Sequence, residues 1–176
     1  QALKEILVEN PHQDQQKITE YDQVVIDTRK PSNNSVFIAL KGENHDAHNF
    51  LNQAFDSGAK IAIVSYIPKD FNNNQLKLLV VNDTYQALYK LAQYSRLRTK
   101  AKIIAVTGSV GKTGTKEMLK TVFNSQGKTY ANLGNFNNHI GLPLSLANLP
   151  ADCEYGIFEM GMNHLKEIEP LSNLAK

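Results

Sequence analysis

The sequence predicts an α/β fold in which a small N-terminal α/β unit is followed by the first part of a second, mostly parallel α/β unit. Three observations support this prediction. Short apolar runs typical of buried strands alternate with segments of helical periodicity. Short loops separate these segments, as in parallel sheets whose faces are covered by helices. One apolar run leads directly into a glycine-containing loop and then into a helix, an arrangement suited to binding an anion.

In the first half of the chain, apolar periodicity predicts two helices and four strands. Leu3 to Val8 is expected to form a short opening helix, and His48 to Ser57 a second helix that Gly58 ends. Polar segments at 31–35 and 68–75 are expected to form a turn and a loop. The strands are predicted at 24–26, 36–40, 61–64 and 78–81.

In the second half, the polar segment 82–84 offers capping side chains for a helix predicted from Tyr85 to Arg98. The basic residues at the end of that helix are interpreted as complements to its dipole. Further strands are predicted at 103–106 and 155–160, and further helices at 114–123 and from His164 onward. Together these elements predict two domains, residues 1–82 and residues 83–176.

Composition excludes several functional classes. The net charge is +2, from 19 basic and 17 acidic residues, which gives no footprint for nucleic acid. The single cysteine, Cys153, allows no internal disulfide and fits a reducing compartment, so a cytoplasmic location is expected. No apolar run approaches the roughly 18 residues of a membrane span. The protein is also expected to be a monomer. The chain starts at Gln1 rather than at a methionine and stops inside a predicted helix, so it is expected to be part of a longer protein.

The glycine loop between the predicted strand 103–106 and helix 114–123 carries the strongest chemical signal. Gly108 and Gly111 allow backbone N–H groups to face phosphate oxygens, and the next helix presents its positive end to the same anion. Lys112 would reach the β- and γ-phosphates, while the Thr113 hydroxyl would complete a Mg²⁺ shell. A plain strand-to-helix turn is the alternative, but a lysine at a helix start is disfavoured unless an anion is present. The sequence therefore predicts a P-loop-type phosphate site, although Val106 replaces the first glycine of the usual motif.

Two further segments of the second half could join this loop. Glu159 ends a predicted strand, where ligands of open α/β sheets bind, and its carboxylate suits Mg²⁺. A structural capping or ion-pair contact for Glu159 is an equal alternative. The segment 132–143 holds four asparagines and two glycines and is interpreted first as a loop, although its amides could orient a phosphate or a metal-bound water. Taken by itself, His164 is more typical of a solvent-exposed histidine at the start of a helix than of a ligand-binding residue.

In the first half, Arg29 and the pair Lys41-Gly42 each follow a predicted strand, so both could face one ligand at the strand ends. An arginine beside a glycine turn suits a diphosphate. A salt bridge from Arg29 to Asp46 or Glu43 is the structural alternative.

Taken together, these motifs resemble those of the Mur ligases, the ATP-dependent amide-forming enzymes of peptidoglycan precursor synthesis. The phosphate loop of that family has Thr-Gly where other P-loops have their first glycine, as Thr107-Gly108 does here. The resemblance runs over nearly the whole chain, in order, through Ala39-Leu40-Lys41-Gly42-Glu43 with Asp46-Ala47-His48, Thr115-Lys116-Glu117-Met118, Gly134-Asn135-Phe136-Asn137-Asn138 with Ile140-Gly141-Leu142-Pro143, and Glu159-Met160-Gly161 with Asn163-His164.

The resemblance implies a role for each matching residue. The N-terminal unit is expected to hold the UDP part of a nucleotide sugar, and the second unit to bind ATP and Mg²⁺. Substrate binding is assigned to Thr28, Arg29, Lys41, Gly42, Asp46 and His48. ATP binding is assigned to Thr107, Gly108, Ser109, Val110, Gly111, Lys112, Thr113, Asn137 and Asn138. Metal binding is assigned to Thr113 and Glu159, and catalysis to Lys112, Glu159 and His164.

The family member that these motifs match best joins D-alanyl-D-alanine to UDP-N-acetylmuramoyl-tripeptide through an acyl phosphate. The alternatives are the sister ligase that adds the third amino acid and a nucleotide-binding fragment without catalysis. One departure concerns Lys166, where the family usually has a glycine. Because the family's C-terminal domain would lie downstream, the 176 residues alone are expected to show no ligase turnover.

Overall fold

The computed structural model describes residues 7–9, 21–29, 33–71, 77–162 and 164–176. The chain divides into two compact units, Gln1–Lys90 and Leu91–Lys176, which are described separately below. The assignment of residues 1–82 to a substrate domain and 83–176 to a nucleotide domain stays a prediction. Asn163 and parts of the predicted turn at 31–35 and loop at 68–75 lie outside the described residues.

The first unit contains a five-stranded sheet. Its strands are β1 (Leu7–Glu9), β2 (Gln23–Val25), β3 (Ser35–Ile38), β4 (Ala59–Val64) and β5 (Leu78–Val81), and their order is β1-β5-β4-β3-β2. The pairs β2–β3, β3–β4 and β4–β5 are parallel, whereas β1 runs antiparallel to β5. The four strands β2 to β5 therefore confirm the apolar runs read from the sequence, and the carboxyl ends of β2 and β3 meet at one edge of the sheet.

The prediction of an opening helix was wrong for the part of it that the structure describes. Leu7 and Val8 belong to β1, which pairs with β5, and the remainder of Leu3 to Val8 lies outside the described residues. Pairing with a neighbouring strand overrides local periodicity in a segment as short as this.

The helix predicted from His48 to Ser57 is present in two pieces, a 3₁₀ turn at Ala47–Phe50 and α1 at Leu51–Asp56. Gly58 has φ +106° and ends the helix, because this left-handed conformation favours glycine. The helix packs its apolar face on the sheet, and the resulting core includes Phe37, Leu51, Ala54, Ala62, Val64 and Leu78.

The helix α2 (Thr84–Arg98) begins where the capping segment predicted it. In the first unit, Asp83 Oδ1 accepts hydrogen bonds from the backbone N–H groups of Tyr85 at 2.7 Å and Gln86 at 3.3 Å. In the second unit, Arg96 Nε donates to the Ala175 carbonyl at 2.9 Å, and Arg98 donates to the Leu149 carbonyl at 3.2 Å. The two arginines thus satisfy carbonyls at and beyond the ends of other helices.

The second unit has a three-stranded parallel sheet with the order β6-β8-β7. Its strands are β6 (Lys102–Val106), β7 (Thr129–Ala131) and β8 (Tyr155–Glu159), and its helices after α2 are α3 (Lys112–Asn124), α4 (Gly141–Ala147) and α5 (Ile168–Ala175). Val106, Ala131 and Ile157 form the core between the sheet and α3. Because β8 lies between β6 and β7, the loops that follow β6 and β8 leave the sheet side by side.

Three features of this unit differ from the sequence prediction. β7 was not predicted, and α4 begins inside the segment 132–143 that was interpreted as a loop. α5 begins at Ile168, four residues after the predicted start at His164, and the turn before it places Lys166 at φ +71°. None of the helices in the described ranges combines the length and the apolar character needed to cross a bilayer.

Candidate functional site

The glycine loop connects β6 to α3, as the sequence predicted, and all five of its residues, 107–111, are exposed. Gly108 has φ +150°, and Gly111 caps α3 at φ +77°, a left-handed conformation that favours glycine. The Lys112 ammonium lies over the loop and donates to the Gly108 carbonyl at 2.7 Å. The first backbone N–H groups of α3 have no acceptor within the helix and therefore point out of its start. The loop presents a concentrated positive region to an anion.

Glu159 lies directly beside this loop. It ends β8 in parallel register with Val106 at the end of β6. Its side chain is 2% exposed, and Oε2 accepts a hydrogen bond from the Thr113 hydroxyl at 2.8 Å. The strand order thus brings together the two residues predicted to hold Mg²⁺, although metal binding by them stays a prediction.

The asparagine-rich segment supplies the other contacts of Glu159. Asn137 Nδ2 donates to Glu159 Oε1 at 2.7 Å, and the Glu159 backbone N–H donates to Asn132 Oδ1 at 2.8 Å. The Gly161 N–H donates to the Asn137 carbonyl at 2.8 Å, and a Cβ on Gly161 would lie 2.8 Å from the Asn137 amide. The segment therefore fixes which way the Glu159 carboxylate faces, and a side chain larger than that of glycine at position 161 would have to displace the Asn137 amide.

Asn138, predicted to contact ATP, caps a helix here, and its contact with ATP stays a prediction. Its Oδ1 accepts from the backbone N–H groups of Ile140 at 3.1 Å and Gly141 at 2.8 Å, which caps the start of α4. His164, predicted to be catalytic, is exposed in the turn before α5, and its backbone N–H donates to Glu167 at 3.1 Å. Within the described residues the His164 imidazole makes no hydrogen bond, so its catalytic role stays a prediction.

Lys116 belongs to the site, although the sequence alone assigned it no role beyond its place in the matching segment Thr115-Lys116-Glu117-Met118. Its side chain is completely buried, and Nζ donates to the carbonyls of Asn132 and Gly134, each at 2.9 Å. The Glu117 carboxylate lies 3.3 Å from the same nitrogen. A buried ammonium costs several kcal/mol unless it is paired and hydrogen-bonded. These contacts meet that requirement.

No cluster of three or more histidine, cysteine, aspartate or glutamate side chains with metal-binding geometry occurs in the described part of the chain. The oxygen donors beside the loop are one hydroxyl and one carboxylate, from Thr113 and Glu159. Such a set suits Mg²⁺, which commonly takes one or two protein carboxylates together with phosphate oxygens and waters.

In the first unit, the predicted substrate loop after β3 is built around His48. The imidazole is fully buried and stacks on Tyr66 with ring centroids 4.2 Å apart. Its Nε2 accepts the Ser65 backbone N–H at 2.9 Å, so the ring proton resides on Nδ1, which donates to Asp46 Oδ1 at 2.6 Å. His48 therefore holds the loop in shape, and a contact of its buried ring with substrate stays a prediction.

Asp46 is the polar centre of this loop. Burial opposes ionisation of its carboxyl, but hydrogen bonds from Tyr66 and His48 outweigh burial and lower the pKa of Asp46 below its ordinary value. The exposed Lys41 ammonium lies 3.9 Å from the same carboxylate, and the Gly42 N–H donates to the His45 carbonyl at 2.8 Å. Lys41 and Gly42 therefore lie on the surface of a loop whose interior is held by the hydrogen bonds of Asp46.

Arg29 pairs with Asp27 rather than with Asp46 or Glu43, so the salt bridge considered from the sequence was assigned to the wrong partner. The guanidinium of Arg29 donates to both oxygens of Asp27, at 2.9 and 2.7 Å, while remaining 83% exposed. A small pocket beside Thr28 is lined by Asp27, Phe37 and Ser57, among other residues. Arg29 and Thr28 lie after β2, at the same edge of the sheet as the loop after β3.

Residues 106–176 match the family model of the Mur ligase middle domain. The chain is 43% identical over 155 residues to the UDP-N-acetylmuramoyl-tripeptide–D-alanyl-D-alanine ligase of Rickettsia prowazekii, a match that covers 88% of this chain and 34% of the relative. It is 42% identical to the enzyme of the same name from Escherichia coli, covering 84% of this chain and 32% of the relative. The chain thus spans about a third of the length of these curated relatives.

Solved structures give the same result. The UDP-N-acetylmuramoylalanyl-D-glutamyl-2,6-diaminopimelate–D-alanyl-D-alanyl ligase of Acinetobacter baumannii superposes with a TM-score of 0.78 at 40% identity, over 93% of this chain and 36% of that one. The MurF ligase of Thermotoga maritima in complex with ADP superposes with a TM-score of 0.70 at 29% identity, over 87% of this chain and 35% of that one. With the short phosphate loop, its neighbouring glutamate and these matches agreeing, the chain belongs to the Mur ligase family.

Proposed function

We propose that this chain supplies the nucleotide site and the UDP-sugar unit of an ATP-dependent ligase that joins D-alanyl-D-alanine to UDP-N-acetylmuramoyl-tripeptide. The observation that carries the proposal is the placement of Glu159 against Thr113 at the start of α3. The relatives that carry this enzyme's name match most of this chain, which favours it over the sister ligase that adds the third amino acid. The ADP complex of the Thermotoga maritima relative supports a nucleotide as the ligand.

Mg²⁺ fits the residues at the loop. Mg²⁺ takes oxygen ligands, commonly one or two protein carboxylates together with phosphate oxygens and waters. The Thr113 hydroxyl and the Glu159 carboxylate, whose oxygens lie 2.8 Å apart, would hold it here. Bound there, Mg²⁺ would supply positive charge to the phosphate oxygens of ATP.

The residues of this chain would bind and orient ATP. The backbone N–H groups of the exposed loop 107–111 and of the first turn of α3 would hold the phosphates. The Lys112 ammonium would exchange the Gly108 carbonyl for a phosphate oxygen, which offsets the repulsion between ATP and a substrate carboxylate. Transfer of the γ-phosphoryl group of ATP to that carboxylate gives an acyl phosphate and ADP. Attack by the amine of D-alanyl-D-alanine then forms the amide and releases a proton and inorganic phosphate.

The first unit would hold the UDP part of the substrate. Arg29 and Lys41 are exposed cations that follow the adjacent parallel strands β2 and β3, so their charges suit a diphosphate at this edge. Asp27 would orient the Arg29 guanidinium through its two hydrogen bonds. The remaining assignments in this unit, Thr28, Gly42, Asp46 and His48, stay predictions, as does a cytoplasmic location.

The proposal is tested by phosphate release from the full-length protein that contains this chain. We expect release from ATP to require both UDP-N-acetylmuramoyl-tripeptide and D-alanyl-D-alanine. ATP turnover that does not depend on either substrate would contradict the proposal. So would turnover that instead requires UDP-N-acetylmuramoyl-dipeptide and a free amino acid, the substrates of the sister ligase. Titration of UDP into the 176-residue chain tests the first unit separately, and Arg29→Ala should weaken that binding.

A further inference from the structure

We propose, resting on the nucleotide site proposed above, that Lys116 is a positioning residue that ties the asparagine loop, residues 132–138, to α3 and so aims Glu159 at the metal position. Its ammonium connects the helix that carries Lys112 and Thr113 to the loop that holds the Glu159 carboxylate. Lys116 touches neither phosphate nor metal in this scheme. It acts through the loop.

The burial of Lys116 shows that its contacts are specific. The side chain is completely inaccessible, at a position on the inner face of α3 where an apolar residue would pack without a desolvation cost. Two of its three polar partners are backbone carbonyls of the asparagine loop, those of Asn132 and Gly134. The third, the Glu117 carboxylate, is 55% exposed and is therefore a weaker partner. Two of the three polar contacts of the ammonium are therefore with the asparagine loop.

The asparagine loop needs such a tie because packing holds little of it. Residues 133–135 are exposed, and Gly134 adopts φ +52°. Within the loop, Asn132 is buried, whereas Phe136 and Asn137 are half-buried. The position of the loop therefore depends on polar contacts, and the lysine makes two of them.

The loop in turn sets the direction of Glu159. Asn132 accepts the Glu159 backbone N–H, and Asn137 donates to Oε1, while Oε2 faces Thr113. Release of the loop would free Oε1, so the carboxylate could rotate away from Thr113. The predicted consequence is a weaker metal site with little change in the loop that binds phosphate. Within the described residues, the Lys116 ammonium donates to the asparagine loop and not to Gly108 or Gly111.

Amide hydrogen exchange tests the tie without any nucleotide. Two adjacent amides serve as reporter and reference: the Gly161 N–H donates to the Asn137 carbonyl, and the Met160 N–H donates to Val106 in the neighbouring strand. In Lys116→Met, exchange of Gly161 should accelerate about tenfold or more, while Met160 stays within about twofold of the unaltered chain. Equal acceleration of both amides would reveal a merely structural lysine and would overturn the proposal, as would no change in either.

Nucleotide binding tests the consequence at the metal. We would titrate Mg²⁺ into the 176-residue chain with fluorescent ADP, and repeat the ADP titration in EDTA. Lys116→Met should raise the half-saturating Mg²⁺ concentration about tenfold and change the metal-free ADP affinity by less than about twofold. Asn137→Ala removes the hydrogen bond to Glu159 and should also raise the half-saturating Mg²⁺ concentration. The double variant should need no more Mg²⁺ than the worse of the two single variants, because both residues act through one network. Additive effects, or an equal loss of metal-free affinity, would contradict the proposal.

Two further variants complete the test. Lys120→Met makes the same substitution one turn later on α3 and should leave the Mg²⁺ requirement unchanged. If Lys116→Met does not fold, Lys116→Gln replaces it, and a rise below about threefold in the Mg²⁺ requirement would overturn the proposal. Failure of the unaltered chain to bind ADP would contradict the proposed nucleotide site, while the exchange experiment would still decide the role of Lys116.

Discussion

Replacing Gly161 by alanine should disturb the Glu159 carboxylate from the far side of the site. The added Cβ would lie 2.8 Å from Cγ and Oδ1 of Asn137 and 2.9 Å from its Nδ2. Ordinary contact begins near 3.4 Å, so the amide must retreat by about 0.6 Å, the difference of 3.4 and 2.8 Å. Such a retreat strains or breaks the 2.7 Å hydrogen bond from Asn137 to Glu159.

The magnitude follows from the bond at risk. A hydrogen bond to a charged group contributes about 1.5–3 kcal/mol, so the free energy of unfolding of Gly161→Ala should fall by about 2 kcal/mol. Gly114→Ala is the matched control, because a Cβ there meets nothing within 4 Å. Gly114 lies in α3, where alanine is favoured over glycine by about 0.5–1 kcal/mol, so that variant should become more stable.

The assay is urea unfolding followed by circular dichroism. With a denaturant slope of about 1–3 kcal/mol per molar, the midpoint of Gly161→Ala should fall by about 1 M and that of Gly114→Ala should rise slightly. Asn137→Ala removes the same hydrogen bond, so adding it to Gly161→Ala should cost little more. A Gly161→Ala chain as stable as the unaltered one, or a fully additive double variant, would show that the Asn137–Glu159 hydrogen bond is not what Gly161 protects.

Three other predictions concern single residues. Lys166→Gly should raise the free energy of unfolding by about 1 kcal/mol, since Lys166 has φ +71°; an unchanged or lower urea midpoint would contradict this. His48→Ala should cost about 3 kcal/mol and accelerate amide exchange at Ser65, because it removes a buried ring and leaves the Ser65 N–H unpaired; slow exchange at Ser65 would be the contrary result. Because the pKa of Asp46 is lowered in the folded chain, its stabilising effect is present above the ordinary value of 3.8 and is lost as the pH falls through the lower folded value. Stability measured against pH should therefore fall more steeply on the acid side for the unaltered chain than for Asp46→Asn, and identical slopes would count against it.

The parts of the fold that the sequence predicted are those fixed by local pattern. The apolar runs at β6 and β8 are continuous and predict strands. The glycines, lysine and threonine of the loop have the spacing of a phosphate-binding motif. The strand-end rule then placed Glu159 near the loop, and the parallel register of Val106 with Glu159 realises that placement. Motif and topology together were sufficient for this half of the site.

The missed features depend on contacts between distant residues. α4 contains Gly141 and Pro143, which argue against a helix, but the first turn of a helix tolerates proline. Gly141 is required there because a Cβ would lie 2.5 Å from the Phe136 backbone. Lys116 resembles any solvent-facing lysine until the carbonyls of the asparagine loop are seen around it. No periodicity could reveal it, since its partners lie 16 and 18 residues further along the chain.

Calorimetric titration of ATP into the 176-residue chain, with and without Mg²⁺, tests most directly whether the glycine loop and Glu159 form a nucleotide site. We expect Mg²⁺-dependent binding that Lys112→Ala weakens about tenfold or more, equivalent to about 1.4 kcal/mol. Lys120→Ala, one of the lysines further along the same helix, should bind as the unaltered chain does. Binding that is absent from the unaltered chain, independent of Mg²⁺, or unaffected by Lys112→Ala would contradict the assignment of the loop and Glu159 as the nucleotide site.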